Sequence, residues 1–176
     1  KTRRGGNAEN IRTWGDVGLT GQFANLPISL YGRNSASGTY GFFKDNALFG
    51  GDYKDVVKEQ PGSSSVVQGV ASELAGIGYS GIGYMTADVR AVPIATGPGE
   101  KCVAAAAENA YTGEYPLSRF LILYTNYKPG SELDPLRREF VRYIFSRNGQ
   151  EDVVRDGYFP VSNVIAQEQL QKLGIK

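Results

Sequence analysis

The sequence predicts an α/β fold on a largely parallel sheet, and three observations carry that expectation. Short apolar, strand-like runs alternate with longer runs whose apolar residues recur at helical spacing. Glycines, 23 of the 176 residues, fall mostly at the junctions between those runs. Hydrophobic residues make up 41% of the chain, enough for a real core, yet no apolar stretch approaches the ~20 residues that cross a bilayer.

Taken in order, residues 1–12 are polar and basic (Lys1, Arg3, Arg4, Arg12) and read as a flexible lead-in or a truncated element. Trp14, Leu19 and Phe23 are spaced irregularly between glycines, which predicts short turns with apolar packing anchors. Residues 27–33 read as a strand, with Ile28 and Leu30 on one face and Gly32 near its end. Residues 37–49 read as a helix: Tyr40, Phe43 and Ala47 share a face, and Gly50-Gly51 ends it. Residues 52–62 are charged, with Asp52 and Asp55 expected to be solvated, and Pro61-Gly62 is a break. Ser63-Ser64-Ser65 offers cap hydroxyls to a second helix with a stripe of Val67, Val70, Ala71 and Leu74.

Residues 82–85 and 90–95 both read as short strands, and 101–111 as an alanine-rich helix stopped by Gly113. Residues 117–125 are the longest strand-like run (Leu117, Phe120, Leu121, Ile122, Leu123, Tyr124). Ser131 with Asp134 makes an acidic variant of a capping box before an amphipathic helix. Its stripe, Leu133, Leu136, Phe140, Val141, Ile144 and Phe145, reads as core, with Gly149 beyond the end. Ser162 or Asn163 caps a last helix closed by Gly174.

Composition removes several chemistries. There is no histidine, so neither a Ser-His-Asp triad, a Cys-His pair nor an imidazole metal site can form. Cys102 is the single cysteine, which rules out an internal disulfide and predicts a small, buried or half-buried apolar side chain. Net charge is +1, which argues against bulk nucleic-acid binding. Carboxylates are scattered, with no pair placed by local spacing for acid–base work. Gly76, Gly78 and Gly81 match a dinucleotide pattern but follow a helix-like run, so they read as a glycine-rich turn between helix and strand. The stretch 32–39 lacks the Gly-Lys of a nucleotide phosphate loop, and residues 78–81 lack the second glycine of a nucleophile elbow.

The stretch that combines charge, hydroxyls and a helix start is Gly32-Arg33-Asn34-Ser35-Ala36-Ser37-Gly38-Thr39. Backbone N–H groups of a first helical turn have no intrahelical partner, and the helix dipole adds partial positive charge there. Arg33 adds a planar fork of donors, and Ser37 and Thr39 add hydroxyls, which together suit a small oxyanion. Serine and threonine at a helix start are also ordinary caps, and arginine pairs with any nearby carboxylate, so local chemistry leaves both readings open.

Four motifs occur in order: Arg33-x-x-x-Ser37-Gly38-Thr39; Ala75-Gly76-Ile77-Gly78-Tyr79; Tyr115-Pro116-Leu117-Ser118-Arg119; and Ser146-x-x-Gly149-Gln150 followed by Gly157-Tyr158-x-Pro160. Together they resemble the substrate-binding proteins of phosphate ABC transporters, over nearly all the chain. The resemblance implies a periplasmic-binding-protein-like (type II) α/β fold, a two-lobed clamp that closes on one phosphate ion. It assigns residues 1–114 to the second lobe and residues 115–176 to a crossing strand and C-terminal helices of an incomplete first lobe. Arg33, Ser37, Gly38 and Thr39 would be the phosphate ligands of the second lobe, while residues 63–65 resemble a cleft-side loop.

Two departures stand out. Family members usually carry an acid two positions after the arginine, where this chain has Ser35. The chain has no counterpart to the family's first half, with its glycine-rich loop and proton-accepting carboxylate, and it begins at Lys1 rather than Met. It therefore resembles the C-terminal half to two-thirds of such a protein. The implied partners are inorganic phosphate, an ABC permease at the membrane, and either the first half or a second copy of the chain. No cofactor, metal, enzymatic step or nucleic-acid partner is implied. The implied location is periplasmic or extracellular, with a membrane anchor in an N-terminal region. A sensor or adhesion protein on the same fold is the alternative, and an enzyme acting on phosphate esters is a distant third.

Overall fold

Strand β1 (Ser29–Arg33) is the centre of the sheet, and the computed structural model, which describes residues 10–128 and 130–175, pairs it on both sides. Strand β2 (Lys58–Gln60) lies parallel to it in the register Tyr31 to Lys58 and Arg33 to Gln60. Strand β3 (Gly76–Gly78) lies parallel on the other side, with Ser29 opposite Gly76 and Tyr31 opposite Gly78. The order is β2-β1-β3. Helix α1 (Gly38–Ala47) connects β1 to β2, and α2 (Ser63–Ala71) connects β2 to β3 across β1. Parallel strands need such crossovers, so both helices begin at the carboxyl edge of the strands. Most of the lead-in predicted at 1–12 lies outside the described residues.

Val66 and Val67 of α2 are buried against this sheet. Close approach is what makes small residues necessary here. A Cβ on Gly78 would sit 2.9 Å from Val66 Cγ1, and one on Gly32 would sit 2.6 Å from Tyr53 Oη. At the base of the sheet Lys58, Tyr31 and Ser29 converge on the Glu73 carboxylate, and Trp14 Nε1 donates to Ala75 O at 3.1 Å. Trp14 is thus a packing anchor, as expected.

The chain divides into two compact units, one running to Ser118 and the other Arg119–Lys176. In the second unit, α4 (Pro135–Ile144), α5 (Arg147–Arg155) and α6 (Asn163–Lys172) surround a core of Leu133, Val141, Leu170 and Ile175. Asp134 is the N-cap of α4 and accepts from Arg137 N, while Ser131 Oγ donates to Lys128 O instead of forming a capping box. Ser162 caps α6 through Ile165 N. The first unit also holds the short α3 (Ala107–Thr112).

Several sequence expectations need correction. The glycine-rich 76–78 segment is a strand, because Gly76 and Gly78 leave room for α2 and Tyr31 to press on it. Residues 82–85 hold a 3-10 turn (Ile82–Tyr84) and 90–95 are irregular, with one isolated bridge between Ile94 and Val103 among the described residues. The helix expected at 101–111 is confined to α3. Residues 63–65 supply no hydroxyl cap, since Gly62 is the N-cap of α2 and no side chain bonds there. Leu74, expected in the α2 stripe, is 79% exposed because the helix has already ended. Leu136 and Phe140 also face outward, since α4 turns only its Val141 edge to the core. Gly149 lies inside α5, its N–H donating to the Ser146 cap at 3.2 Å, with no space for a Cβ beside Tyr143 O. Cys102 is exposed. Residues 117–125 form no strand, and Phe120, Leu121, Ile122, Leu123 and Tyr124 are all more than half exposed.

Candidate functional site

The site is built where β1 gives way to α1. Parallel strands converge on a carboxyl edge where crevices form and helix N-termini point. β1 ends at Arg33, β2 at Gln60 and β3 at Gly78, while α1 starts at Gly38 and α2 at Ser63.

Ser37 is the N-cap of α1, with extended backbone, and its Oγ accepts from Thr39 N–H at 3.1 Å. The bond fixes the turn, and the Ser37 hydroxyl keeps its own O–H for donation. Gly38 is the first helical residue, so its N–H has no intrahelical acceptor. Thr39 N–H, anticipated as a ligand donor, is already engaged by Ser37 Oγ. The turn is closed by Ser37 N donating to Asn34 O at 3.1 Å, and Asn34 N donating to Gln60 O at 3.0 Å couples it to β2.

Arg33 is half-buried. Its Nη1 donates to Ser63 Oγ at 2.8 Å and its Nη2 to Pro61 O at 3.2 Å, so the guanidinium reaches the β2–α2 corner. Its Nε is buried without a hydrogen-bond partner. Among the described residues no carboxylate pairs with Arg33.

Aromatic residues floor this turn. Tyr53, which is buried, donates to Arg33 O at 3.1 Å, and Arg33 N donates to Tyr79 Oη at 3.3 Å. Tyr53 and Tyr79 hydroxyls bond each other, Phe43 stacks on Tyr79 at a centroid distance of 3.8 Å, and Tyr40 meets Tyr53 edge-on. Burial, then the bond to Tyr79, pushes the Tyr53 phenol up, and burial does the same to Tyr79. Both stay neutral donors and place no negative charge beside Arg33.

Of the residues singled out in sequence, Arg33, Ser37, Gly38 and Thr39 lie on one strand–helix junction. Ser63 joins them through Arg33, whereas Ser64 is exposed. Sequence reading missed Tyr53, Tyr79 and Ser80 as supports. Tyr53 sits in a charged stretch and Ser80 in a glycine-rich one, so neither carries a local signal. The glycine at 32, which only a closely packed neighbour explains, is the one hint of Tyr53.

Comparison with known proteins gives the family of the chain. The model of the PBP superfamily domain matches residues 7–148. The phosphate-binding protein PstS of Pseudomonas aeruginosa is 50% identical over 99% of this chain and 54% of that protein. PstS of Bacillus subtilis is 32% identical over 88% of this chain and 47% of that protein. A solved structure described as a possible phosphate-binding protein from Planctomyces limnophilus aligns with a TM-score of 0.65 at 27% identity, covering 95% of this chain and 59% of that one. The chain thus spans about half the length of the curated relatives it matches. With a family model matching residues 7–148, most of its length, and helices joined to a parallel sheet, the chain belongs to the PBP superfamily.

Proposed function

We propose that the chain carries part of a phosphate-binding site and serves capture of inorganic phosphate for an ABC importer, with no reaction of its own. The observation that carries this reading is Arg33. Among the described residues its guanidinium bonds only neutral partners, Ser63 and Pro61, and Arg33 ends β1 at the junction where Ser37, Gly38 and Thr39 open α1. A positive charge left uncompensated beside helix-start donors suits a small, doubly charged oxyanion. In this reading Arg33 gives charge-assisted bonds, the Ser37 and Thr39 hydroxyls donate, and the Gly38 N–H completes the cradle. Thr39 N–H would be shared with Ser37 Oγ. The names of the P. aeruginosa and B. subtilis relatives support phosphate as the anion.

Residues 1–114 would be the second-lobe portion and 115–176 part of the first lobe, a division close to the boundary of the two compact units at Ser118. The exposed run at 120–124 supports a further part of the reading: it would take a sheet partner from outside this chain, either the rest of a first lobe or a second copy. Docking on a membrane permease and a periplasmic or extracellular setting follow from the same reading. No described helix is long and apolar enough to cross a membrane.

Residue-resolved NMR titration with phosphate tests the site. The expected result for this chain is weak binding that shifts the Gly38 and Thr39 amides and falls at least about tenfold in Arg33→Ala, the effect of losing one charged hydrogen bond. Phosphate binding unchanged in Arg33→Ala overturns the assignment.

A further inference from the structure

We infer that Ser63 is a positioning residue that orients Arg33 toward its anion without neutralising it. The inference rests on the phosphate reading above for its functional meaning, but its geometry stands alone. Like Tyr53, which donates to the Arg33 carbonyl, Ser63 is buried. It is the first residue of α2, yet its hydroxyl does not cap that helix. Instead its Oγ accepts from Arg33 Nη1 at 2.8 Å, beside the Pro61 carbonyl that accepts from Nη2 at 3.2 Å. Ser63 is itself braced, because Ser80 Oγ donates to its carbonyl at 3.2 Å. Ser80 follows β3, so the brace runs from one strand end, through Ser63, to the side chain of another.

The chemistry of this holder differs from that of a carboxylate. A carboxylate would fix the fork and cancel its charge. A hydroxyl and a backbone carbonyl fix it and leave the full positive charge in place. The start of α2 adds partial positive charge at the same corner, so Arg33 is held there against a like-signed helix end. Serine at position 35, which is exposed, supplies no compensating acid. The consequence is a cation that is fixed and electrostatically unspent. Its pull on a divalent anion should be strong at low salt and should fade steeply as salt rises.

The test uses the full chain and the Arg33 Nε–H NMR signal, assigned by its loss in Arg33→Lys, with inorganic phosphate as the probe. In ligand-free wild type this signal should be sharp, dispersed and slow to exchange. Ser63→Ala should move it toward the free-arginine position and speed its exchange at least tenfold, and Ser63→Thr should restore it. If Ser63→Ala does not fold, Ser63→Cys, a poor acceptor of similar size, serves the same comparison. Ser63→Asp should keep the signal ordered yet weaken phosphate binding at least tenfold and flatten its dependence on sodium chloride. An Arg33 signal unchanged in Ser63→Ala or Ser63→Cys overturns the positioning role. Unaltered affinity and salt slope in Ser63→Asp overturn the unspent-charge argument. A wild type whose Gly38 and Thr39 amides ignore phosphate overturns the proposed function, while the guanidinium signal still decides the role of Ser63.

Discussion

Residues 29–33 and 120–124 look alike on paper and differ completely in the structure. Both are short runs with β-forming side chains, and the second is the more apolar of the two. The first is the central strand of a parallel sheet, with β2 and β3 on its two sides. Among the described residues 120–124 make no backbone hydrogen bond, and their side chains are 51–87% exposed. Strand propensity describes a surface that fits a sheet, whereas formation of the strand depends on having neighbours. Residues 29–33 have two neighbours delivered by the α1 and α2 crossovers. Apolar side chains pointing both ways suit a strand buried on both faces, and among the described residues 120–124 have no such neighbours.

The largest effect should come from removing what makes β1 fit. Gly32→Val places a side chain where its Cβ meets Tyr53 Oη at 2.6 Å, displacing the phenol from Arg33 O and Tyr79. Overpacking and a lost buried hydrogen bond together should cost about 2–4 kcal/mol. Urea unfolding followed by the fluorescence of Trp14, the single tryptophan, reports this unit. Gly41→Ala in α1, where a Cβ meets nothing within 4 Å, is the matched control and should stabilise by about 0.5–1 kcal/mol. Equal responses at the two glycines would mean that Tyr53 does not clamp the strand end.

That glycine also shows what sequence could and could not reveal. β1, α1, α2, α4 and α6 were legible because their apolar spacing and stop signals agree. β2 is Lys-Glu-Gln, an exposed edge, and carries no apolar pattern at all. β3 is three residues with two glycines, and it is a strand only because β1 lies beside it. α5 begins directly after the Ser146 cap and contains Gly149, which read as lying beyond the end of a helix rather than inside one. The proposed anion turn was legible because strand end, arginine, cap and helix start are contiguous. Its supports were not, because Tyr53, Ser63 and Tyr79 arrive from 20 to 46 residues away along the chain.

A moderate effect should appear in acid. Lys58, Ser29 and Tyr31 together hold the Glu73 carboxyl at about 2, below its ordinary 4.5, with the Lys58 bond the largest cause. Because the folded value is depressed, this stabilisation is complete above pH 4.5 and is lost as pH falls toward 2. Trp14, bonded to the Ala75 carbonyl two residues on, should report that loss. In Glu73→Gln the unit should be less stable at neutral pH, and the part of its acid unfolding that falls in this window should disappear. An acid limb identical in the two proteins would show that the cluster does not tie β1 and β2 to the end of α2.

The smallest effect should come from the run that resembles β1 most. Leu121 and Leu123 are 68% and 51% exposed, so Leu121→Ser/Leu123→Ser should change the stability of the second unit by less than about 0.5 kcal/mol. Hydrogen exchange should find the amides at 120–124 near the unprotected rate and those of 30–33 strongly protected. Sedimentation at rising concentration should show any self-association weakened by the same double substitution, because the apolar side chains that a partner sheet would cover are gone. A destabilisation above about 1 kcal/mol, or slow exchange at 120–124 in dilute protein, would require a partner already in place. Residues 120–124 would then be a strand in solution, and their contrast with β1 would vanish.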